Sequence, residues 1–413
     1  MYVFLKKQKV DKVKPGKLKI KVSKSLQAKI AKGHPWVHFY QLQNRDVVGK
    51  PGDLGVIYDF KNRFLAIGLF DPFSDIRLRI LNTGEPVSID GEFFTRRLEQ
   101  ALLLRRSLEG TQTTGYRLVN GENDGFPGLV VDRYGETFVI KLYTEAWAPH
   151  LDLFVESLKK VSECNRIVLL LSRHVERTRT TGPANGHILY GPPLDGPVHF
   201  TENSLVFQAD VVEGQKTGFY FDQRENRARL KEIAEGKEVL NVFSYTGGFS
   251  VYCMLGKARS VTEVDINQQA LLAAKENMLM NFPERALNES DFNQIHGDAF
   301  KVLSEFKRQK RQFDLVILDP PAFASRNEHK SNALQAYLRL AKAGAQCTRP
   351  GGLLFAASCS QSVGAKDFFR SVSLGIRQTG RKEKALFKSR HGVDHPISFQ
   401  GGEYLKAGCF EVF

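Results

Sequence analysis

The sequence predicts an α/β protein: a doubly wound parallel sheet in its C-terminal half, preceded by a small β-barrel and a small α+β unit. Three observations carry this. From residue 201 onward, apolar strand-like runs alternate with helix-length amphipathic stretches, the pattern of a parallel sheet with crossover helices. Residues 1–85 hold short strand-like runs punctuated by Gly and Pro. Residues 86–200 combine a leading helix with strand, strand, helix and strand. The expected segments are therefore 1–85, 86–200 and 201–413.

In the first segment, residues 18–22 alternate apolar and charged side chains, as a half-buried strand does. Residues 24–32 form a short basic helix ended by Gly33-His34-Pro35-Trp36, and residues 52–59 and 64–70 are strands of the barrel. Trp36 and Phe39 are candidate base-stacking aromatics, with burial of Trp36 in the core as the alternative. In the second segment, residues 92–108 have helical spacing, and Asn120 to Gly128 is a turn-rich loop. Strands at 129–132 and 137–142, a helix at 148–161 and a strand at 166–171 follow.

The third segment opens with Gly218 to Arg227, leading into an amphipathic helix. Next comes a buried strand through Val239, Leu240, Val242 and Phe243, broken at Ser244-Tyr245-Thr246-Gly247-Gly248, with a helix from Phe249. A strand at 260–265 ends in Asp265, and a helix covers 268–281. A short strand precedes His296-Gly297-Asp298, and an apolar strand at 313–318 ends in Asp319-Pro320-Pro321. A helix at 334–347, a strand at 353–357, Ser358-Cys359-Ser360 and a closing hairpin complete the chain.

The 413 residues are enough for two or three domains, and 42% hydrophobic with 25% charged residues is ordinary for globular proteins. No run approaches the roughly 20 apolar residues of a membrane helix. The apolar run near Met1 is too short for a secretory signal, so a cytoplasmic location and no membrane partner are expected. Five scattered cysteines without a Cys-x-x-Cys pair argue against a disulfide scaffold and a structural zinc. Net charge is +14, and residues 1–50 hold 13 Lys and Arg against Asp11 and Asp46, or +11. That asymmetry suits a polyanion such as nucleic acid, or simply a solvated lysine surface.

Ligands of open α/β sheets bind beyond the carboxyl ends of the strands, where Ser244 to Gly248, Asp265, Asp298, Asp319 and Cys359 all fall. Asp265 lies about 20 residues past the glycine turn, the spacing of a ribose-binding acid. That suits a nicotinamide cofactor or S-adenosylmethionine. The turn lacks Gly-x-Gly-x-x-Gly, which a pyrophosphate favours and adenosylmethionine does not need. Cys359 is either a small buried hydrophobe or a nucleophile, and the second role needs neighbours that lower its pKa from about 8.5. Asp319 is held on a rigid turn by two prolines, as a site residue or a helix cap.

Taken together and in order, these motifs resemble the bacterial ribosomal RNA large subunit methyltransferase I family, 23S rRNA cytosine-C5 methyltransferases. The resemblance rests on Gly33 to Trp36, Asn120-Gly121-Glu122, Asp124 to Gly128 and Asp222 to Arg227. It rests also on Phe243 to Phe249, Asp319-Pro320-Pro321, Ser358-Cys359-Ser360 and Asp394-His395-Pro396. It implies a PUA domain, a central EEHEE domain and a Rossmann-like, S-adenosylmethionine-dependent methyltransferase domain. Gln223, Arg224, Asn226 and Arg227, with Phe243, Ser244, Tyr245, Thr246 and Gly247, would line the cofactor site. Asp265 would hold the ribose and Asp298 the adenine, with Asp319 also beside the cofactor. Cys359 would be the nucleophile and Asp319 would orient the cytosine. The expected partner is RNA (23S rRNA or a large-subunit precursor), with a homodimer as an option. The alternatives are methylation of another base such as guanine, a non-catalytic RNA-binding assembly factor, and a nicotinamide oxidoreductase.

Overall fold

The structure is a computed structural model that describes residues 15–179, 182–323, 330–399 and 401–413. The apolar run near Met1 and the first lysines of the basic segment lie outside the described residues. The chain resolves into two compact units: residues up to Leu104 with Leu118–Pro193, and Arg105–Arg117 with Leu194–Phe413.

The first unit contains a five-stranded sheet of β1 (Lys17–Ile20), β2 (Trp36–His38), β3 (Leu54–Tyr58), β4 (Phe64–Phe70) and β5 (Ile76–Thr83), ordered β1-β3-β4-β5-β2. Helix α1 (Lys24–Ala31) starts where Ser23 Oγ accepts from the Leu26 amide at 3.3 Å. It buries Leu26 and Ile30 against Ile20, Ile57 and Leu78, leaving its lysines outside. Sequence pattern missed β2 and β5. In β5, Ile76 to Ile80 alternate apolar and charged side chains, but the burial does not: Arg79 is buried, with its guanidinium held by Ile76 O and Ser74 Oγ. Trp36 is half-buried, and its indole N–H donates to Glu122 Oε1 at 2.9 Å. Phe39 is exposed, with the Arg77 guanidinium 4.7 Å from its ring centroid.

Helix α2 (Gly91–Arg105) ends earlier than its apolar spacing predicts and passes into a 3₁₀ turn. A second five-stranded sheet is built from β6 (Gly115–Asn120), β7 (Leu129–Tyr134), β8 (Thr137–Leu142), β9 (Arg166–Leu171) and β10 (His187–Tyr190), in the order β10-β9-β8-β7-β6. Helix α3 (Leu151–Val161) starts three residues later than the expected 148, after a 3₁₀ turn over Glu145–His150 that contains Pro149. The short helix α4 (Arg173–Thr178) is capped by Ser172.

The second unit begins with a hairpin, β11 (Val198–Glu202) and β12 (Leu205–Ala209), and helix α5 (Arg224–Lys231). Its sheet comprises β13 (Glu238–Val242), β14 (Ser260–Asp265), β15 (Phe292–His296), β16 (Phe313–Leu318), β17 (Thr348–Ser358), β18 (Glu383–Ser389) and β19 (Lys406–Val412). The order is β15-β14-β13-β16-β17-β19-β18. All neighbours are parallel except β19, which is antiparallel to both β17 and β18. The crossovers carry α6 (Gly248–Leu255), α7 (Gln268–Asn281), α8 (Pro283–Ala286), α9 (Ala299–Arg308), α10 (Lys330–Cys347) and α11 (Ala365–Arg377). Strand order reverses between β13 and β16, which opens a crevice at their carboxyl ends. The expected α/β class and Rossmann-like architecture are therefore what the chain adopts. The hairpin is β18–β19, and its long connection carries His391, Asp394 and His395.

Candidate active site

The turn after β13 concentrates left-handed backbone. Phe243, Tyr245 and Gly247 have φ of 62°, 49° and 76°, and only the last is glycine. Such non-glycine strain persists where surrounding bonds over-determine it. Here Phe243 N and Ser244 N donate to Val264 O at 2.9 and 3.1 Å, and Tyr245 N donates to Asp265 Oδ2 at 2.8 Å. Gly247 admits no side chain, because a Cβ there would lie 2.7 Å from Glu263 Oε1 and 2.9 Å from the Ala274 Cβ. Asn277 Nδ2 holds the turn from below by donating to Thr246 O at 2.8 Å. Burial lifts the Glu263 carboxyl beneath the turn to about 7.

The cleft above this turn has a volume of about 140 Å³ and opens to solvent. Its wall brings together Gln223, Arg227, Phe243, Ser244, Tyr245, Thr246, Asp265, Asp319 and Cys359. Four other predicted site residues do not line it. Gly247, within the turn, faces Glu263 and Ala274. Asp298 caps α9, with Oδ1 accepting from Lys301 N at 3.0 Å. Arg224 is buried in an ion pair with Asp394, at 2.9 and 3.0 Å. Asn226 donates to Gln223 Oε1 at 2.5 Å, and Gln223 Nε2 donates to Asp319 Oδ1 at 2.9 Å. Asn226 thus belongs to the scaffold that holds Gln223 and, through it, Asp319, while Arg224 belongs to the scaffold through Asp394.

Asp319 ends β16 and Cys359 follows β17, so two neighbouring parallel strands deliver them to one crevice. Burial, then the charge of Asp222, push the Asp319 carboxyl up to about 7 against Lys216 and the Gln223 hydrogen bond. Burial likewise raises the Cys359 thiol to about 11; Lys216 opposes this, and Asp319 and Asp222 add to it. The neighbours therefore do not lower this thiol, and it rests protonated. Its flanking serines are clamped by one phenol on α10: Ser358 Oγ donates to Tyr337 Oη at 2.8 Å, and Ser360 Oγ lies 2.9 Å from the same oxygen. From β19, the buried Lys406 Nζ donates to Ser360 O at 2.5 Å, and burial lowers this ammonium to about 8.

Sequence reasoning missed Asp222, Tyr220 and Gln215 in the wall, and Lys216, Tyr404 and Lys406 behind it. Asp222 and Tyr220 lie inside a motif already singled out. Tyr404 and Lys406 carry no local signal.

The wall fits S-adenosylmethionine rather than a dinucleotide. Its carboxylates outnumber its free cations, since the Arg227 guanidinium is engaged by Glu202 at 2.8 and 2.6 Å. An acidic, phosphate-averse cleft suits a sulfonium. Asp265 retains unused lone pairs for ribose hydroxyls, and Ser244 Oγ and Thr246 Oγ1 are buried without a partner.

Comparison with known proteins agrees. Residues 117–382 match the family model of S-adenosylmethionine-dependent methyltransferases, and residues 20–83 match a PUA-like domain. A ribosomal RNA large subunit methyltransferase of Deinococcus radiodurans is 44% identical over 95% of this chain and 96% of its own. A ribosomal RNA large subunit methyltransferase I of Alteromonas mediterranea is 35% identical over 94% and 96%. Among solved structures, the SMU.776 methyltransferase complexed with SAH superposes with a TM-score of 0.81 at 22% identity, covering 96% of this chain and all of that one. That likeness speaks for the fold.

Fold, cleft and sequence together define an S-adenosylmethionine-dependent methyltransferase with a PUA-like domain. By its full-length relatives, the chain belongs to the ribosomal RNA large subunit methyltransferase family.

Proposed function

We propose that the chain methylates C5 of a cytosine in 23S ribosomal RNA, through a transient bond between Cys359 and C6 of the base. The observation that carries this reading is the meeting of Cys359 and Asp319 in the cofactor cleft, with the Ser358-Cys359-Ser360 turn clamped by Tyr337. Phe243, Ser244, Tyr245 and Thr246 would line the cofactor, Asp265 would take its ribose, and Asp298, by the family resemblance, would serve the adenine. The cofactor, when bound, supplies an electrophilic methyl group and a positive sulfonium charge.

Cytosine C5 is a poor nucleophile until C6 is attacked. Cys359 Sγ bonds to C6, and electron density moves to C5 and N3. Asp319, raised to about 7, is half protonated near neutrality and donates a hydrogen bond to N3, stabilising the developing charge. After methylation a base removes the C5 proton, the S–C6 bond breaks and Cys359 is released. Because the free thiol sits at about 11, the thiolate forms only once substrate and positive charge enter the acidic cleft. The target base must leave its stack, at a cost of a few kcal/mol.

RNA contact is supported by the first unit. Lys17, Lys19, Lys21, Lys24, Lys29 and Lys32 cluster in and around α1. Lys24 lies 5.0 Å from the ring centroid of Phe60, which is 65% exposed and open for stacking. Residues 1–85 would be the PUA-like RNA-gripping segment, 86–200 the central EEHEE segment and 201–413 the catalytic segment.

The test is covalent trapping. RNA carrying 5-fluorocytosine cannot lose the C5 substituent, so wild-type protein with cofactor should form a complex that survives denaturing electrophoresis. Cys359→Ala should form none. A wild-type enzyme that methylates rRNA without trapping would refute the cytosine-C5 reading and favour another base.

A further inference from the structure

Asp222 stands in the cleft wall next to Gln223, and the chemistry proposed above gives it no contact with the substrate. Its side chain is 2% exposed. Oδ2 is held twice, by Lys216 Nζ at 2.7 Å and by the Tyr404 hydroxyl at 2.9 Å. Oδ1 is buried with no hydrogen-bond partner. Leaving a buried acceptor unpaired costs roughly 1–3 kcal/mol, and more for a charged one. The orphaned oxygen therefore marks a place for a donor that the chain does not supply.

The neighbouring carboxyl indicates which donor. Asp222 and Asp319 are linked through Gln223, which follows the first and hydrogen-bonds the second. Burial disfavours charge on Asp222, but Lys216 and His395 outweigh it and hold this carboxyl well below its ordinary range, while Asp319 is pushed upward. One oxygen pair is thus an acceptor and its neighbour a donor, the division that paired carboxyls adopt when their environments separate their pKa values. Cytosine presents the complement, an N3 acceptor beside an N4 amine. Uracil presents the reverse at both atoms, with N3–H and O4. Enzymes that extrude a base read it along this edge.

We propose that Asp222 is the specificity-determining acceptor for the exocyclic N4 amine of the target cytosine, paired with Asp319 at N3. The assignment rests on the cytosine-C5 reading. It would give the unpartnered Oδ1 a donor while Lys216 and Tyr404 both hold Oδ2.

The experiment uses full-length protein and two transcripts of an rRNA fragment, differing only in C or U at the nucleotide that wild-type enzyme methylates. In Asp222→Asn, Lys216 and Tyr404 retain the amide oxygen, and the amide N–H group faces the base. Methylation of the C transcript should fall at least about tenfold, and the C-over-U ratio of kcat/KM should fall by about a hundredfold or more, as when a buried polar group meets the wrong partner. Adenosylmethionine affinity, measured by calorimetry on the same sample, should stay within about threefold. An unchanged C-over-U ratio overturns the proposal. So does a loss of cofactor affinity without a change in that ratio, because the acceptor would then serve the cofactor. If Asp222→Asn does not fold, Tyr404→Phe, which removes one Oδ2 partner, is read on the same transcripts: a reduced ratio supports the assignment and an unchanged one overturns it. Wild-type trapping on 5-fluorocytosine RNA separates this failure from failure of the cytosine-C5 reading itself.

Discussion

At the residue scale, Asp319 couples chemistry to stability. Burial and the Asp222 charge hold its folded pKa near 7, above the ordinary 3.8 of a carboxyl. A raised folded pKa contributes stability below the unfolded value, and that contribution is lost as pH rises through the folded one. Between pH 5 and pH 8 the wild-type protein should therefore lose stability relative to Asp319→Asn, by roughly 1–3 kcal/mol given that the cleft is open to solvent. Urea denaturation midpoints at the two pH values measure this. A pH-independent difference would show that Asp319 ionises normally. Cys359 makes the complementary point. A cysteine at the end of a strand is legible as a candidate nucleophile, but the sign of its pKa shift is not. Lys216 pulls it down while burial, Asp319 and Asp222 push it up, and only their placement decides the outcome.

At the element scale, the site depends on how strand ends are pinned. β17 delivers Cys359, but the Ser358-Cys359-Ser360 turn is set by Tyr337 on α10, a helix that precedes it in the chain. Replacing Tyr337 by Phe leaves two buried serine hydroxyls short of a partner. The expected cost is about 1–2 kcal/mol in stability. Single-turnover methyl transfer should slow at least about tenfold, with adenosylmethionine affinity unchanged, because misplacing a nucleophile by an ångström costs more than this removes from folding. An unchanged rate would mean that the clamp is structural only. The turn after β13 follows the same logic: its left-handed residues are tied to β14 through Val264 and Asp265, so β13 and β14 define the cofactor side together.

At the scale of the whole molecule, charge and cleft have opposite signs. The chain carries +14 overall, yet the wall of the cleft is lined by Asp222, Asp265 and Asp319. The surface suits a polyanion and the pocket a cationic cofactor, so one protein can recruit both. On the RNA reading, the exposed Lys24 and Lys29 of α1 and Lys32 at its C-terminus contribute to phosphate contacts. Replacing all three by Ala in the full chain should lower the log–log salt dependence of rRNA binding by about 2 for single-stranded contacts. Adenosylmethionine affinity should not change. A salt slope equal to that of wild type would place the RNA surface elsewhere.

The sequence by itself determined the α/β class, the parallel sheet and the strand ends that carry Asp265, Asp319 and Cys359. These are local patterns: an apolar run of strand length closed by a polar residue, repeated with helices between. It also marked the glycine turn after β13, because turn chemistry is local. What only the tertiary structure decided is which charges share the cleft. Tyr404 grips Asp222 across 182 residues of chain, and Arg224 is paired with Asp394 across 170. Those pairings made Arg224 part of the scaffold and turned Asp222 from one letter of a motif into an acceptor with an open valence. Hydrogen bonds and burial act through space, and sequence periodicity records them only where neighbours in space are also neighbours in the chain.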